Sequence, residues 1–305
     1  MRFAIQREAL LKPLQQVINV VERRHTMPVL SNLLVAVDET GLSITGSDSE
    51  VEMVARTQVE DPSTAGETTI PARKLFDIAR AMPDGARLIF ELSGERVAIR
   101  AGRSRFTLST LPAGDFPSMD ELDIEARFSL PEPRLRELID RSAFAMAQQD
   151  VRFYLNGLLF DLDMDLIRCV ATDGHRMAVC EAPLEQGVSA RRQLIVPRKG
   201  VLELQRLLEG EDRELNLEVG RNQLRVQRED VTFTTKLIDG RFPDYTAVIP
   251  IGVDKKARLD REVLRAALQR VAILSNEKYR GVRLEFSPNQ LRIQAHNPEQ
   301  EEAIE

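Results

Sequence analysis

The chain has 305 residues and a formal charge of −6, from 42 Lys and Arg against 48 Asp and Glu. Hydrophobic residues make up 43% and charged residues 30%, a balance typical of folded domains with buried cores, which excludes disorder as the main state. The chain has no apolar run of about 18 residues, and its N-terminus lacks the apolar core of a signal peptide. The sequence therefore predicts a cytoplasmic protein without membrane contact.

The first predicted elements form a unit of strand, helix, hairpin, helix and hairpin. Alternating and helical apolar patterns place the strand at 3–5, the helices at 7–24 and 71–80, and the hairpins at 33–48 and 87–99. Pro13 lies inside the first helical pattern. Because proline lacks the N–H that a helix interior needs, we expect a kink or a late helix start there.

The same order of elements returns about 125 residues later, which is the sign of an internal repeat. Gly-Asp-Phe-Pro at 114–117 matches Gly-Arg-Phe-Pro at 240–243, an offset of 126 residues. The second copy is predicted as a strand, a helix, a hairpin, a helix and a hairpin at 128–130, 134–152, 158–173, 196–208 and 215–226. The two long stretches are thus predicted to have the same order of strands and helices.

A third copy follows, with a strand at 257–259, a helix at 263–280 and a hairpin at 282–297. We expect the chain to end in the middle of this copy, which would leave a sheet edge exposed or dependent on a neighbour. The predicted domains are 1–122, 127–250 and a partial third domain at 254–305.

The predicted helices are basic although the whole chain is acidic. Together they contain 18 Lys and Arg against 8 Asp and Glu, a net charge of +10, which leaves −16 for strands and loops. Two interpretations remain open. Lys and Arg are good helix formers and suit solvated faces, or the helices form a positive surface that attracts a polyanion while the remainder repels it.

Neither a metal site nor a cofactor is predicted. The two cysteines, Cys169 and Cys180, lie in apolar surroundings without a partner at metal-ligand spacing, and we expect them to be reduced and structural. The chain has no Trp and only 5% aromatic residues, which disfavours single-strand binding through stacked bases.

An enzyme would need a base, an orienting group and an activated nucleophile in one pocket. His175 lies near Asp173 and Arg176, but the sequence has no GxSxG, P-loop or HExxH motif. Asp48 and Asp173 occupy matching repeat positions, which favours a role in turn structure. We predict that the protein is not an enzyme; loss of a defined activity in the variant His175→Ala would support a hydrolase instead.

Five longer motifs resemble one family. They are Thr-Asp-Gly-His-Arg at 172–176, Val-Pro-Arg-Lys-Gly at 196–200, Asp-Gly-Arg-Phe-Pro-Asp-Tyr at 239–245, Ser-Asn-Glu-Lys at 275–278 and Asn-Pro-Glu-Gln-Glu-Glu at 297–302. With the repeated plan, they make the whole chain similar to the bacterial sliding clamp, the beta subunit of DNA polymerase III. The resemblance implies an α+β fold of tandem clamp domains, with helices lining a central channel and antiparallel sheets outside.

The resemblance also implies a function. Sliding clamps are accessory subunits that encircle duplex DNA as a head-to-tail homodimer ring. They tether replicative and repair polymerases through a hydrophobic peptide pocket. The expected partners are duplex DNA, a second clamp chain, the clamp loader, the DNA polymerase III alpha subunit, and other clamp-binding polymerases and repair proteins. The alternative is a monomeric clamp fragment that acts only as a peptide-binding adaptor.

Three sets of residues match the family's functional positions. Those expected to face DNA are Arg24, Arg73, Gln149, Tyr154, Arg198 and Lys199. Those expected to form the peptide pocket are Leu155, Thr172, Gly174, His175, Arg176, Met177, Pro243 and Val248. Those expected at the dimer interface are Lys74, Arg96, Arg103, Arg105, Ile273, Leu274, Glu299, Glu301 and Glu302.

Several positions depart from the family pattern or admit a second interpretation. Phe153 stands where relatives often have Tyr, which removes a hydroxyl donor; Met177 replaces a Leu of similar volume. Ala247 lies where some relatives have Arg, so a contact at the pocket rim is expected to be absent. On periodicity alone, intrachain core is the favoured interpretation of Ile273 and Leu274.

Overall fold

The computed structural model describes residues 1–22, 26–185, 187–275, 280–297 and 301–304. Their contacts divide the chain into two compact units, Met1–Pro243 and Asp244–Glu305. The predicted α+β class is confirmed, because both units combine helices with antiparallel sheets. None of the helices in the described ranges is long and apolar enough to cross a membrane.

The first unit contains both complete copies of the repeat. Its helices are α1 (Arg7–Val17), α2 (Ala72–Ala81), α3 (Glu132–Asp140) and α4 (Arg198–Leu207). Its strands are β1 (Arg2–Gln6), β2 (Asn32–Asp38), β3 (Gly41–Ser47), β4 (Val51–Thr57), β5 (Glu60–Thr64), β6 (Gly66–Pro71), β7 (Arg87–Ser93), β8 (Arg96–Ala101), β9 (Ser104–Ser109), β10 (Ile124–Pro131), β11 (Gly157–Leu162), β12 (Leu166–Thr172), β13 (Met177–Pro183), β14 (Arg192–Pro197), β15 (Glu214–Gly220), β16 (Gln223–Gln227) and β17 (Val231–Lys236).

These strands form three sheets, with orders β5-β1-β7-β8-β9, β10-β15-β16-β17-β4-β3-β2-β6 and β13-β12-β11-β14. The eight-stranded sheet passes from one repeat to the other, because β17 pairs with β4 and sets Phe233 opposite Met53. Both side chains are buried. Alternation along each strand puts one face of each sheet against the helices, which explains why the predicted hairpins are confirmed.

Helix α1 packs on the sheet through Leu10, Leu14 and Val17, which follow helical spacing and are fully buried. It begins at Arg7, whose backbone N–H donates to the carbonyl of Ala86 (2.8 Å). Pro13 lies inside the helix, so of the two predicted outcomes the late start is wrong and the kink stays a prediction. The helix also ends at Val17 rather than at 24, in a run of β-branched residues that lowers helix propensity.

Helix α3 ends at Asp140, so the predicted extent to 152 is wrong. The hydroxyl of Ser142 donates to the Leu138 carbonyl (2.6 Å), and Ala143–Ala145 form a 3₁₀ turn. Gln149 has φ 56°, which a right-handed helix cannot accommodate.

The second unit consists of α5 (Arg261–Val271) and a sheet of β18 (Arg283–Ser287), β19 (Gln290–Asn297) and β20 (Glu301–Ile304). Asp260 caps α5, since its Oδ1 accepts from the Val263 N–H (2.9 Å). The predicted strand at 257–259 is wrong, because these residues pair with no strand in the described chain. The predicted helix at 263–280 ends at Val271, and 276–279 lie outside the described residues.

With these boundaries the five α-helices of the described residues carry 13 Lys and Arg against 7 Asp and Glu, a net charge of +6 rather than +10. The excess is smaller mainly because α1 and α3 are shorter than predicted. The helices remain basic in an acidic chain, which keeps the polyanion-binding interpretation open.

Candidate functional site

The turn between β12 and β13 is built by its own side chains. Oδ1 of Asp173 accepts hydrogen bonds from the backbone N–H groups of His175 (2.9 Å) and Arg176 (3.0 Å), and the Thr172 hydroxyl donates to the Arg176 carbonyl (2.7 Å). Burial raises the pKa of Asp173, but these amides and the Arg176 guanidinium outweigh burial and hold the pKa below its usual value. The Asp173 carboxylate therefore stabilises the turn.

The Arg152 side chain contacts this turn. Its guanidinium pairs with Asp150 (2.8 Å) and approaches the Asp173 carbonyl (3.4 Å), and the pairing lowers the pKa of Asp150 to about 2. A Cβ at Gly174 would lie 3.1 Å from this guanidinium, and Gly174 has φ 85°. Glycine is thus required both by the backbone conformation and by the close approach of Arg152.

An exposed aromatic side chain lies next to the turn. Arg176 donates to the Phe144 carbonyl (3.0 Å), and its guanidinium lies 5.6 Å from the centre of the Phe144 ring, which is 59% exposed. Met177 is half-buried at the start of β13. Phe144 and Met177 together offer apolar surface, with the Arg176 guanidinium at its edge.

The other predicted pocket residues occupy different places. Leu155 is buried, and its carbonyl accepts from the Ala147 N–H (3.0 Å), which anchors the segment before β11. Pro243 is exposed at the end of the first unit. Val248 belongs to the second unit, where it is 66% exposed at the end of the 3₁₀ turn Tyr245–Val248.

The first repeat has an equivalent turn with different partners. Oδ1 of Asp48 accepts from the N–H groups of Glu50 (2.9 Å) and Val51 (2.6 Å), which confirms the shared turn role of Asp48 and Asp173. The Asp48 side chain is 4% exposed and pairs through its other oxygen with Lys199. Lys199 also pairs with Glu22 (2.5 Å), and although burial opposes it, these partners raise the pKa of Lys199.

The remaining residues predicted to face DNA lie on two helices and one loop. Arg73 on α2 is exposed, Arg198 opens α4, and neither forms an ion pair within the described chain. Gln149 is exposed at the left-handed position of a loop that the Asn156 side chain closes by bonding both backbone groups of Asp150 (2.9 Å each). Arg24 lies outside the described residues.

Tyr154 is half-buried and meets the Phe153 ring edge-on, with 5.7 Å between ring centres. Phe153 is 55% exposed. A Cβ at Gly240 would lie 3.2 Å from the Phe153 ring, so the glycine lets the 239–243 loop pack against this pair. The two aromatic residues are therefore held by the motif that repeats at 114–117.

Exposed arginines lie on the β8–β9 hairpin at one edge of the five-stranded sheet: Arg96 on β8, Arg103 in the turn and Arg105 on β9. Arg96, Arg103 and Arg105 are exposed and make no ion pair among the described residues, and Lys74 is exposed on α2. Arg105 stands directly opposite Arg100 across β8 and β9. Because the described strands leave β9 with one unpaired edge, this edge presents both backbone groups and positive charge.

The second unit carries the other predicted interface residues. Ile273 is 78% exposed in the 3₁₀ turn Ala272–Leu274, so its interpretation as intrachain core is wrong; Leu274 is half-buried. Glu301 and Glu302 lie on β20, opposite Asn297 and His296 of β19. Glu299 lies outside the described residues.

Sequence reasoning missed Arg152 and Phe144, which flank the 172–177 turn. Both fell within the overextended helix at 134–152, and neither was predicted to contact this turn. The Asp-x-Arg spacing at 150–152 was the available signal, since an acidic residue two positions before Arg suits a local ion pair in a loop.

Comparison with known proteins places these features in one family. Models of the N-terminal, central and C-terminal domains of the DNA polymerase III beta subunit match residues 1–120, 129–244 and 246–305. The Beta sliding clamp of Pseudomonas putida is 54% identical over 307 residues and that of Escherichia coli K12 is 52% identical over 305 residues. Each match covers 100% of this chain and 83% of the relative.

A solved structure gives the same result. The crystal structure of the sliding clamp (DNA polymerase III subunit beta) from Pseudomonas aeruginosa bound to griselimycin matches with a TM-score of 0.97 and 54% identity. The match covers 100% of this chain and 83% of that one.

Proposed function

The chain belongs to the family of DNA polymerase III beta subunits, the bacterial sliding clamps, and we propose specific residues for its DNA, peptide and subunit contacts. It acts as an accessory subunit and not as an enzyme. As a sliding clamp, it encircles duplex DNA as a head-to-tail dimer ring and tethers polymerases and the clamp loader. The single observation that carries this function is the match along the whole chain at 52–54% identity. The comparisons do not support a monomeric adaptor.

For DNA we propose contacts from Arg24, Arg73, Gln149, Tyr154, Arg198 and Lys199. A ring that slides needs attraction to phosphates without base-specific hydrogen bonds, because base contacts would hold it at particular sequences. Two properties support the proposal: the helices carry a net charge of +6, and Arg73 and Arg198 have no competing carboxylate in the described chain. Lys199 is the least supported of these proposed DNA contacts, since two carboxylates already pair with its ammonium group.

For peptides we propose a pocket on the first unit formed by Leu155, Thr172, Gly174, His175, Arg176, Met177 and Pro243. The turn at 172–176 is rigid, because Asp173 and Thr172 bind its backbone and Arg152 lies beneath it. A preformed turn lowers the entropy lost on binding. Met177 supplies an apolar wall, and Arg176 supplies a cation for a polar end of the peptide.

For the ring contact we propose the basic residues Lys74, Arg96, Arg103 and Arg105 against Ile273, Leu274, Glu299, Glu301 and Glu302 of a second chain. Charge complementarity between different surfaces is what a heterologous, ring-closing contact requires. The exposed side chain of Ile273 supports an apolar centre for this contact. We further propose domains at 1–122, 127–250 and 254–305, and a cytoplasmic location.

The function is tested by primer extension on a long singly primed circle with DNA polymerase III core, clamp loader and ATP. A clamp keeps the polymerase on its template, so long products from single binding events are expected only when this chain and the loader are both present. The double variant His175→Ala, Arg176→Ala should shorten the products, whereas the matched exposed control Arg221→Ala should not. Products as short as those of polymerase core alone would contradict the function.

A further inference from the structure

The two cysteines face each other across β12 and β13. The register pairs Cys169 with Cys180 directly, so both thiols project from the same face of the sheet. Cys169 is completely buried, and Cys180 is half-buried on β13, which is an edge strand in the described sheet. Helix α3 packs over this face. One thiol is thus reachable by a small molecule, and the other lies directly behind it.

The spacing of the two backbones is within reach of a disulfide. One position beyond the Leu166–Pro183 pair, the N–H of Leu184 donates to the Asp165 carbonyl (2.8 Å). Closely hydrogen-bonded pairs recur at every second position, so Cys169 and Cys180 form such a pair, with Cα atoms about 5.5 Å apart. Disulfides span Cα separations of about 4.4–6.8 Å.

We propose that Cys169 and Cys180 form a reversible disulfide when the protein meets a peroxide, and that this bond weakens peptide binding at the 172–177 turn. The second part rests on the proposed function of that turn. The first part does not depend on it.

The chemistry needs only hydrogen peroxide. The Cys180 sulfur attacks one peroxide oxygen, the O–O bond breaks, and the products are a sulfenic acid at Cys180 and one water. The Cys169 sulfur then attacks the Cys180 sulfur and displaces hydroxide, which leaves as a second water with the Cys169 proton. Two thiols are oxidised by two electrons, and one peroxide is reduced to two waters. Burial raises the pKa of both thiols, which keeps the reaction slow.

The bond would deform the hairpin that carries the turn. Facing Cβ atoms in a sheet are about 4.5–5.5 Å apart, whereas a disulfide needs about 3.5–4.5 Å. Closing the bond therefore draws β13 toward β12 by about 1 Å. Thr172 and Met177, which end these strands at the turn, lie only three positions from the cysteines. The same strain makes the disulfide easily reduced, as reversibility requires.

The test treats the full chain with hydrogen peroxide and then digests it with trypsin without reductant. Cleavage after Arg168, Arg176 and Arg191 puts the cysteines in separate peptides, 169–176 and 177–191. We expect these peptides to appear linked, with the loss of two hydrogens, and to separate after reduction. The affinity for a clamp-binding peptide of the DNA polymerase III alpha subunit should fall about fivefold on oxidation and recover with reductant.

The variant Cys180→Ser is the matched control, because it keeps the buried Cys169 and lacks the accessible thiol. Peroxide should leave its peptide affinity unchanged. Unlinked peptides in the wild-type digest, or Cys180 found only as a sulfinic acid, would overturn the proposal. A disulfide that leaves peptide affinity unchanged would overturn the coupling to the turn. Failure of the reduced chain to bind the peptide would instead contradict the proposed pocket.

Discussion

At the scale of single residues, the two equivalent turns show how one motif acquires different roles. Asp48 and Asp173 bind the following backbone in the same way, yet Asp48 pairs with Lys199 of the other repeat and Asp173 pairs with its neighbour Arg176. The repeat predicted the turns, because turn chemistry is local. It could not predict the partners, because Lys199 is brought to Asp48 only by the folding of the first unit.

The variant Lys199→Ala should lose stability more than DNA affinity. Removing the ammonium leaves the buried carboxylate of Asp48 without its cation, and we expect a loss of about 1–2 kcal/mol after allowing for the partial exposure of Lys199. Arg198→Ala is the control: it should change stability by less than about 0.5 kcal/mol and reduce the salt dependence of duplex binding by about one phosphate contact. Urea unfolding measures the stability of each variant, and duplex binding across salt concentrations measures its phosphate contacts. If Lys199→Ala and Arg198→Ala changed the salt dependence of duplex binding equally and did not differ in stability, this assignment would be contradicted.

Asp230 should make stability depend on pH. It pairs with Arg228 (2.8 Å) and with Lys12 of α1 (3.2 Å); burial opposes these partners, but they hold its pKa at about 2, against an ordinary value of 3.8. Because the folded-state pKa is depressed, the stabilisation is complete above pH 4 and is lost as the pH falls from 4 toward 2.

The variant Asp230→Asn should therefore be less stable than wild type by about 1–2 kcal/mol at pH 7, and the difference should shrink below pH 4. Denaturant unfolding at pH 7, 5, 4 and 3 measures it. The exposed neighbour Glu229→Gln is the control and should show little difference at any pH. A deficit for Asp230→Asn that stays constant down to pH 3 would refute the role of its ionisation.

At the scale of elements, the 172–177 turn depends on a glycine that can be tested directly. Gly174→Ala places a Cβ in the left-handed region and 3.1 Å from Arg152, whereas Gly94→Ala, in the β7–β8 turn, meets nothing within 4 Å at φ 56°. Both variants should lose about 1–2 kcal/mol from backbone strain. Only Gly174→Ala should weaken the binding of the alpha-subunit peptide, as measured by calorimetry. Equal peptide affinities in the two variants would place the pocket elsewhere.

The elements that were predictable are those fixed by nearby residues. The hairpins followed from alternation, and the helix starts at 7, 71 and 196 were within two residues of the structure, because apolar spacing and proline mark them. The helix ends were wrong where 3₁₀ turns follow, as at Ala143–Ala145 and Ala272–Leu274. The join of β17 to β4 was not foreseen, since pairing between repeats depends on contacts about 180 residues apart that no local pattern records.

At the scale of the whole molecule, ring formation should depend on the charge of the β9 edge. Arg105→Glu reverses an exposed charge at the proposed contact, and like charges across an interface cost several kcal/mol. We expect dimer affinity to fall at least about tenfold, as measured by sedimentation velocity. Arg221→Glu, an equal charge change in the β15–β16 turn, is the control and should sediment as wild type. Identical sedimentation of the two variants would remove β9 from the interface.

The most direct test of the central claim, that the chain encloses DNA, is gel filtration of the protein with nicked circular DNA, clamp loader and ATP. A topological link holds protein on a closed path without tight contacts. The account predicts that the protein elutes with the circle at salt concentrations that abolish ordinary phosphate binding, and that a single cut in both strands releases it. Retention that persists after linearisation, or absence of retention on the circle, would contradict the account.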